Sequence, residues 1–419
     1  MQTTAVRLYG PSDLRLETFS LPAIQPDEIL VRVVCDSICM STYKAVIQGS
    51  AHKRVPADIA ENPIITGHEF CGEIVEVGTK WQEKYRPGQK FAVQPAMKTP
   101  DLKDPGYSFC YCGGDATYAV LPPVCMEKGC LLTFENGPFF AASLSEPLAC
   151  VCCAAHSMYH THDDGTYGHD MGIREGGRMV MMASVGPMGL AAIDYILHTD
   201  RRPSLLVITD IDEARLARAE RLLTVAEAAR QGVELHYLNT RDIDAKKVLM
   251  ELSGGKGYDD AVVFAPVPAV VELADSVLAV DGCLNFFSGP ADHTFAAKVN
   301  FYNVHYAATH ICGSAGSSGA DMQECLDMIS AGKLTPAVLV THIGGLGCAA
   351  QTTLNLPQIP GGKKVIYTHV DLPLTAVDDF AELGKTDPFF AHLAELTAKT
   401  GGLWNAEAEA YLLRERAAD

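Results

Sequence analysis

A thiol, an imidazole and two carboxylates, scattered along the sequence, are the side chains of this chain best suited to chemistry. They occur at Cys39, in the run Gly67-His68-Glu69, and at Glu146. Three such ligands around one open position hold a catalytic zinc ion in proteins, whereas a structural zinc ion is closed by four ligands. Cys, His and Glu are also common residues, so the spacing alone equally allows unrelated positions.

Strands are predicted beside two of these positions. The alternating, glycine-bounded stretch 73–77 that follows His68 predicts a half-buried strand. An apolar strand over 29–34 precedes Cys39, which lies in a small polar turn. Ligands at the ends of strands are held in a fixed orientation, so both positions suit a metal site.

A second motif predicts a nucleotide site. The apolar strand 178–183 runs into the glycine turn 184–190, a helix follows to about His198, and the next strand, 205–209, ends at Asp210. Glycines at such a turn let the backbone approach a pyrophosphate, which the N-terminus of the helix favours. Ser184 replaces the usual first glycine, and a slight distortion of the turn is expected. The predicted cofactor contacts are Ser184, Gly186, Pro187, Met188, Gly189, Asp210 and Arg215.

The choice of nicotinamide cofactor depends on Asp210. A carboxylate there accepts hydrogen bonds from a ribose 2′-hydroxyl and repels a 2′-phosphate, so NAD(H) is favoured and NADP(H) remains possible. Asp212 and Glu213 add negative charge. Arg215 could contact a 2′-phosphate, although its position favours the exposed face of a helix.

The segment after Asp210 keeps alternating between strands and helices. The patterns predict a parallel, doubly wound α/β sheet. The predicted elements are helices 213–223, 246–252 and 269–278 and strands 234–238, 260–264, 283–287 and 309–313.

These motifs together resemble a zinc-dependent medium-chain dehydrogenase/reductase of the polyol dehydrogenase branch. Besides the metal and glycine motifs, the resemblance rests on Ala5-Val6-Arg7-Leu8-Tyr9-Gly10, Arg86-Pro87-Gly88 and Gly361-Gly362-Lys363-Lys364-Val365. It implies a GroES-like, mainly β catalytic domain plus a Rossmann cofactor domain. The expected division is 1–154 catalytic, 155–316 cofactor-binding, and 317–419 a return to the catalytic domain with a C-terminal extension.

The resemblance also implies roles for the motif residues. Cys39 and His68 become zinc ligands, Glu69 and Glu146 are the remaining ligand candidates, and Ser41 relays protons. Glu69 is also counted as catalytic. The implied reaction transfers a hydride between NAD(P)H and a ketose phosphate, since zinc polarises the carbonyl. Two alternatives stay open: a dehydrogenase of unphosphorylated polyols or of the threonine type, and a non-catalytic nucleotide-binding sensor.

The chain departs from many of these relatives in one stretch. Where they hold a second zinc ion with four closely spaced cysteines, residues 97–114 contain only Cys110 and Cys112. One intervening residue does not match structural zinc spacing. Cys125 and Cys130 are expected to be buried as small apolar side chains. We therefore expect one catalytic zinc ion per subunit and no structural zinc.

The net charge of −18 limits the possible partners. Nucleic acids and anionic membranes need basic surfaces, so neither is expected. The N-terminus lacks a signal pattern and no apolar run is long enough to span a membrane, which favours a cytoplasmic protein. A phosphorylated substrate requires a local basic cluster, and Lys44, Lys53 and Arg54 are the candidates, although a solvated basic turn would look the same.

Two segments lie outside the family pattern. Residues 160–170 are rich in potential metal ligands, yet their polar, Gly-punctuated composition favours an ordinary surface loop. Residues 379–396 carry apolar side chains at helical spacing and are expected to pack on the catalytic domain or on a neighbouring subunit. The resemblance implies a homo-dimer or homo-tetramer.

Overall fold

The computed structural model describes residues 1–162, 164, 166, 168–290 and 292–418, and these residues form two compact units. The first unit comprises residues 1–146 and 318–419, and the second comprises residues 147–317. The sequence placed the first domain boundary between residues 154 and 155, whereas the units divide between residues 146 and 147. It placed the second boundary between residues 316 and 317, one residue before the observed division.

The first unit is mainly β. Its largest sheet follows the order β19-β17-β18-β3-β5-β6-β8, with β7 also paired to β3, and a three-stranded sheet follows the order β2-β1-β4. Its strands are β1 (Gln2–Gly10), β2 (Asp13–Ser20), β3 (Ile29–Ile38), β4 (Ile64–Ile65), β5 (Phe70–Val77), β6 (Lys90–Val93), β7 (Tyr118–Leu121), β8 (Leu131–Phe134), β17 (Val340–Gly345), β18 (Lys363–Tyr367) and β19 (Thr375–Ala376).

Buried apolar side chains of β3, β5 and β6 form the main core of this unit. The long central strand β3 pairs with β18, β5 and β7. It therefore brings the C-terminal part of the chain beside the N-terminal part. The helices of the first unit are α1 (Met40–Gln48), α2 (Pro123–Glu127), α3 (Phe139–Ser143), α11 (Gly319–Ser330), α12 (Ala349–Leu354), α13 (Phe380–Leu383), α14 (Pro388–Ala398) and α15 (Ala406–Glu415); α4 (Ser145–Ser157) begins in it.

The second unit confirms the predicted doubly wound sheet. Six parallel strands follow the order β13-β12-β11-β14-β15-β16. This order reverses direction beside β11, where such sheets bind nucleotides. The strands are β11 (Arg178–Met182), β12 (Leu205–Asp210), β13 (Glu234–Asn239), β14 (Tyr258–Val263), β15 (Leu278–Phe286) and β16 (His310–Cys312).

Four helices of the second unit lie at their predicted positions, one of them with a shifted boundary, whereas α7 and α10 were not predicted. They are α5 (Pro187–His198), α6 (Glu213–Leu222), α7 (Val225–Arg230), α8 (Ala245–Leu252), α9 (Pro268–Ser276) and α10 (Phe301–Tyr306). The prediction extended α9 to Leu278 and began the next strand at Cys283, whereas β15 already begins at Leu278. A short apolar run such as 277–280 fits a buried helix and a buried strand equally well, because periodicity does not separate them.

The two ends of the insertion form paired strands instead of the surface loop predicted for it. Strands β9 (Tyr159–Thr161) and β10 (His169–Met171) form an antiparallel hairpin. His160 is buried, and its ring contacts the Asp260 carboxylate at 3.1 Å. This buried polar contact fixes the hairpin on the sheet. Asp163, Gly165 and Tyr167 of the insertion lie outside the described residues.

The C-terminal segment is three helices rather than the one predicted stretch. α13 and α14 cover the predicted region. The helical structure is interrupted between them, and α14 begins at Pro388. Proline lacks the N–H that a continuous helix needs, so it begins a helix instead of extending one. The apolar pattern did not predict α15. Phe380, Leu393 and Trp404 are buried within the first unit.

One stretch in the described part of the chain, Phe139–Ser157, is long and apolar enough to cross a membrane by length and composition. Of this stretch, 78% is buried inside the protein. That burial is what a core helix of a folded domain shows. The sequence-based statement that no run reaches this length is therefore corrected for this stretch.

Candidate metal centre

Cys39 lies where β3 gives way to α1. It is the N-cap residue of α1, with an extended backbone at φ −115° and ψ 147°. Ser41 and Thr42 follow in the first turn of the helix, and the Ser41 hydroxyl lies beside the thiol. The strand fixes the position of Cys39 and the helix fixes the two hydroxyls.

His68 lies in the loop before β5, and its two ring nitrogens contact hydroxyl groups. Thr42 Oγ1 is 3.0 Å from Nδ1, and Ser41 Oγ is 3.2 Å from Nε2. A partner on one nitrogen of a histidine sets the tautomer and leaves the other nitrogen to bind a metal ion. Thr42 can therefore hold the ring with Nε2 directed at Ser41 and Cys39. Burial lowers the pKa of His68, which favours the neutral form that binds metal.

The structure brings three of the predicted ligands together. One ligand atom each of Cys39, His68 and Glu69 lies within 4.8 Å of the other two, and Ser41 Oγ donates a hydrogen bond to Cys39 Sγ at 3.0 Å. A thiolate, an imidazole and a carboxylate at this spacing are a donor set that suits zinc with one position open. Burial raises the pKa of the Cys39 thiol, so a bound cation is what would stabilise its thiolate.

Glu69 is fully buried and is held by two partners. Ser37 Oγ donates to one carboxylate oxygen and Lys363 Nζ donates to the other. Burial alone raises the pKa of Glu69, but the charges of Lys363 and His68 and the two hydrogen bonds outweigh burial and lower it. The carboxylate is therefore ionised beside His68, as a ligand must be.

Glu146 is buried at the beginning of α4 but is not one of the three grouped ligands. Burial, with smaller contributions from Glu69 and Cys39, raises its pKa to about 8. Of the two carboxylates left open by the sequence, Glu69 has an oxygen within 4.8 Å of the Cys39 and His68 ligand atoms.

Sequence reasoning missed Tyr107 and Lys363. The buried Tyr107 hydroxyl donates to Ser41 Oγ at 2.9 Å and lies 3.3 Å from His68 Nε2. Tyr107 belongs to the stretch that was considered only for its cysteines. Lys363 belongs to the glycine-lysine run 361–365, which was used only as evidence for the family resemblance. Neither residue carries a local pattern that indicates a site.

Of the predicted phosphate-binding residues, Arg54 contacts the ring of Tyr107. Its Nε bonds the Asp104 carboxylate at 2.8 Å, and its guanidinium carbon lies 5.2 Å from the centre of the Tyr107 ring. Lys53 is exposed, and Lys44 is half-buried on α1. Arg54 is thus held beside Tyr107, while Lys53 lies toward solvent.

Three cysteines of residues 97–130, called here the second-lobe cysteines, lie in the protein interior, whereas Cys110 is half-buried. Cys112, Cys125 and Cys130 belong to the main core of the first unit together with Met97, and Cys125 Sγ is 3.7 Å from the Met97 sulfur. Among the described residues, the groups of three metal-ligating side chains do not include them. This packing is that of small apolar side chains.

The glycine turn has the geometry of a phosphate-binding loop. Gly186 is the N-cap residue of α5, and a Cβ atom on Gly189 would lie 1.8 Å from the Ser184 carbonyl oxygen. Only glycine allows that approach. The left-handed residue of the turn is Ala183, at φ 54°, while the Ser184 hydroxyl donates to Met181 O at 3.0 Å. Pro187 and Met188 open the helix.

Asp210 ends β12, as predicted. Its Oδ1 accepts backbone N–H groups of Ile211 at 2.8 Å and Asp212 at 3.1 Å, which fixes the carboxylate at the strand end. Arg215 is exposed on α6, and its Nε lies 3.6 Å from Asp212 Oδ2. Arg215 thus already has a carboxylate partner on its own helix.

A mainly β unit with this metal-ligand cluster and a doubly wound sheet with this glycine turn define the class of the protein. Residues 25–128 match the alcohol dehydrogenase GroES-like domain, and residues 187–331 match the zinc-binding dehydrogenase domain. The chain belongs to the zinc-dependent medium-chain dehydrogenase/reductase family, in its polyol dehydrogenase branch, and is an oxidoreductase.

Particular relatives extend along almost the whole chain. The chain is 49% identical over 412 residues to L-sorbose 1-phosphate reductase of Klebsiella pneumoniae, covering 98% of this chain and 97% of the relative. It is 48% identical over 413 residues to mannitol-1-phosphate 5-dehydrogenase of Aliivibrio fischeri, with the same two coverages of 98% and 97%. A zinc-binding dehydrogenase structure from Sinorhizobium meliloti 1021, bound to NADP, shares the fold at a TM-score of 0.69 and 17% identity, covering 88% of this chain and all of the other.

Proposed function

We propose that this protein reduces a ketose phosphate with NAD(P)H, and that its substrate pair is L-sorbose 1-phosphate and D-glucitol 6-phosphate. The observation that carries the proposal is the cluster of Cys39, His68 and Glu69 in a chain about half identical to sugar-phosphate enzymes along its whole length. A non-catalytic sensor would not require this donor set.

Each residue at the cluster has a role in that reaction. A zinc ion held by Cys39, His68 and Glu69 would polarise the carbonyl and stabilise an alkoxide, while the nicotinamide supplies the hydride. Ser41 lies 3.2 Å from His68 Nε2 and receives a hydrogen bond from Tyr107 at 2.9 Å. Its hydroxyl is therefore suited to pass a proton to the substrate oxygen. The pKa of Tyr107 is raised well above its usual value by burial, so its hydroxyl stays protonated and acts as a donor.

The phosphate is proposed to bind near Arg54. Bidentate guanidinium contacts suit phosphate, and Asp104 fixes the Arg54 side chain through Nε. Lys53 and Lys44 would add positive charge against the −18 net charge of the protein. Because Arg54 packs on Tyr107, this charge is close to the metal-ligand cluster.

The second candidate substrate pair is mannitol 1-phosphate and fructose 6-phosphate, which the 48% identical relative favours. The two pairs differ in geometry. In L-sorbose 1-phosphate the phosphate is on the carbon next to the carbonyl, whereas in fructose 6-phosphate the two groups lie at opposite ends of the sugar. The distance from metal to phosphate site therefore decides between them.

The test is a comparison of initial rates with NADH against L-sorbose 1-phosphate, fructose 6-phosphate, and unphosphorylated sorbose and fructose. We expect L-sorbose 1-phosphate to give the highest kcat/KM, and zinc chelation to abolish the rate. A higher kcat/KM for fructose 6-phosphate would favour the second candidate. Equal values for phosphorylated and unphosphorylated ketoses would point to a plain polyol or threonine-type dehydrogenase, and no rate on any carbonyl despite bound zinc would point to a sensor.

The finer cofactor assignment is part of the proposal. NAD(H) is favoured because the Asp210 carboxylate would repel a 2′-phosphate, although a relative in fold binds NADP. One zinc ion per subunit is proposed because the second-lobe cysteines are packed in the core. Metal analysis of the purified protein would give one zinc ion per chain, and two would contradict the assignment.

A homo-oligomer is also proposed, with the second copy on the surface of α10 and β16. Phe301, Tyr302 and Tyr306 are 77%, 68% and 69% exposed there. Residues 299–320 contain no Asp, Glu, Lys or Arg, so two copies of an acidic chain could approach here without repulsion. β16 is the last strand of its sheet, and edge strands can pair about a twofold axis. Sedimentation of Phe301→Glu should show monomers, and unchanged oligomers would exclude this surface.

The compartment inferred for this reaction is the cytoplasm. A long chain with a nucleotide-binding unit is expected to keep its fourteen cysteines as reduced thiols, which suits the reducing cytoplasm.

A further inference from the structure

The C-terminal segment after β18 lies outside the matched family domains, which end at residue 331. The last helix of this segment, α15, carries Glu409, whose carboxylate lies in the interior of the first unit. Glu409 is only 4% exposed. The carboxylate accepts the backbone N–H groups of Phe139 and Phe140, each at 2.7 Å, and the Tyr367 hydroxyl at 2.9 Å. Three donors therefore converge on one buried side chain.

The first two contacts complete a helix that has no cap of its own. α3 begins after Pro138, which makes no side-chain capping bond. The first N–H groups of a helix have no partner within the helix, and a side chain normally accepts them. Glu409 takes that place from a different helix. Burial raises the pKa of Glu409 to about 7, and its ionised form would also suit the positive end of α3.

Two routes lead from Glu409 to the metal-ligand cluster, and both end on Glu69. Along α3, Ser143 Oγ donates to the Glu69 backbone carbonyl at 2.5 Å. Along β18, Tyr367 lies at one end of the strand and Lys363 at the other, where its ammonium bonds the Glu69 carboxylate. Trp404 Nε1 donates to the Tyr367 hydroxyl at 2.7 Å, which adds a second fixed contact from the C-terminal segment.

We propose that Glu409 is a positioning residue for the metal site, so that the C-terminal segment sets the orientation of Glu69 through α3 and β18. This inference rests on the zinc site of the proposed function, but not on the identity of the substrate. It gives the C-terminal segment a function beyond covering the core. Loss of the carboxylate releases the beginning of α3 and the Tyr367 hydroxyl together.

The test is the zinc affinity of Glu409→Gln, measured by competition with a chromophoric chelator. An amide keeps the volume but has one acceptor oxygen for three donors. We expect zinc to bind roughly three- to tenfold more weakly, below the ~10–100-fold loss seen for direct partners of ligands. The visible spectrum of the cobalt-substituted protein should also shift, because it reports the arrangement of the ligands. Glu415→Gln, on the exposed side of the same helix, should change neither reading.

Stability is measured in parallel by thermal unfolding. A lower Tm with zinc affinity and cobalt spectrum unchanged would reduce Glu409 to a structural residue and overturn the inference. If Glu409→Gln does not fold, Tyr367→Phe removes one route and leaves the α3 contacts in place. It should weaken zinc binding about twofold to threefold, below the same range, and an unchanged affinity would again overturn the inference. A wild-type protein that binds no zinc would instead overturn the proposed function.

Discussion

Lys363 Nζ donates a hydrogen bond to Oε1 of Glu69, and the two side chains are buried, with 7% and 0% of their surfaces exposed. Burial lowers the pKa of Lys363, but the charges of Cys39 and Glu69 raise it by more, so the ammonium is retained. A buried carboxylate that stays ionised is strongly destabilising when no compensating partner is left beside it. Lys363 provides that partner, and a zinc ion at the same carboxylate would provide a second one.

Replacing Lys363 should therefore make the fold more dependent on zinc. Removing one partner of a buried ion pair costs about 3–5 kcal/mol of unfolding free energy, and bound zinc can compensate Glu69 when the ammonium is gone. We expect Lys363→Met to lower the Tm strongly in the presence of a chelator and less in excess zinc. The measurement is thermal unfolding with and without zinc.

Lys364→Met is the matched control. Lys364 is also buried, but its Nζ bonds three backbone carbonyls, of Ile359, Pro360 and Gly362. Its loss should lower the Tm equally with and without zinc. If Lys363→Met shows the same parallel loss, the link between Lys363 and the metal ligand is wrong.

Arg54 is expected to determine the preference for phosphorylated substrates. Arg54→Ala should raise the KM for a sugar phosphate at least tenfold, since a charge-assisted contact is worth about 1.5–3 kcal/mol. The KM for an unphosphorylated ketose should change little. Lys53→Ala, at an exposed position, should have a smaller effect in the same direction.

The ion pair with Asp104 complicates Arg54→Ala, because the variant also leaves that carboxylate without its partner. Asp104→Asn breaks the same ion pair and keeps the guanidinium. If Asp104→Asn raised the KM as much as Arg54→Ala, the effect would come from local structure and not from phosphate binding.

Local motifs explain why much of the fold was predictable. The glycine turn, α5 and β12 lie in one continuous segment, and their order is set by neighbouring residues, so both the helix end at His198 and Asp210 at the strand end were correct. The boundary between α9 and β15 was wrong because a short apolar run has no distinguishing period. The C-terminal helices were only partly predicted, since no motif marked α15.

The metal-ligand cluster shows where sequence reasoning stops. Cys39 and His68 have recognisable neighbours, but Lys363 reaches Glu69 across 294 residues of chain. Tyr107 similarly reaches Ser41 across 66 residues. Such partners are brought together by the pairing of β18 with β3 and by the packing of loops. Nothing in the neighbouring sequence distinguishes these two side chains from ordinary buried residues.

The close approach at Gly189 predicts a sharp difference between two glycines of the same turn. Gly189→Ala would place a methyl group 1.8 Å from the Ser184 carbonyl oxygen, so the turn must open. We expect a loss of at least about 1–3 kcal/mol of stability and of NADH binding, followed by nicotinamide fluorescence. Gly186→Ala should remain stable, since its Cβ would meet nothing within 4 Å and its φ is −76°. Equal stability of the two variants would contradict the geometry.

Asp210 should control the choice between NADH and NADPH. Its Oδ1 is fixed by two backbone N–H groups at the end of β12. The carboxylate therefore cannot rotate away from a 2′-phosphate and would repel it. We expect Asp210→Ser to lower kcat/KM with NADH about tenfold or more, since a hydrogen bond to a charged group is worth about 1.5–3 kcal/mol. It should also raise kcat/KM with NADPH.

Arg215→Ala, at an exposed side chain already beside Asp212, should change neither value more than twofold, on the order of 0.4 kcal/mol. A strong NADPH preference in the wild type, lost in Arg215→Ala, would reverse the assignment and make Arg215 the residue that recognises the cofactor.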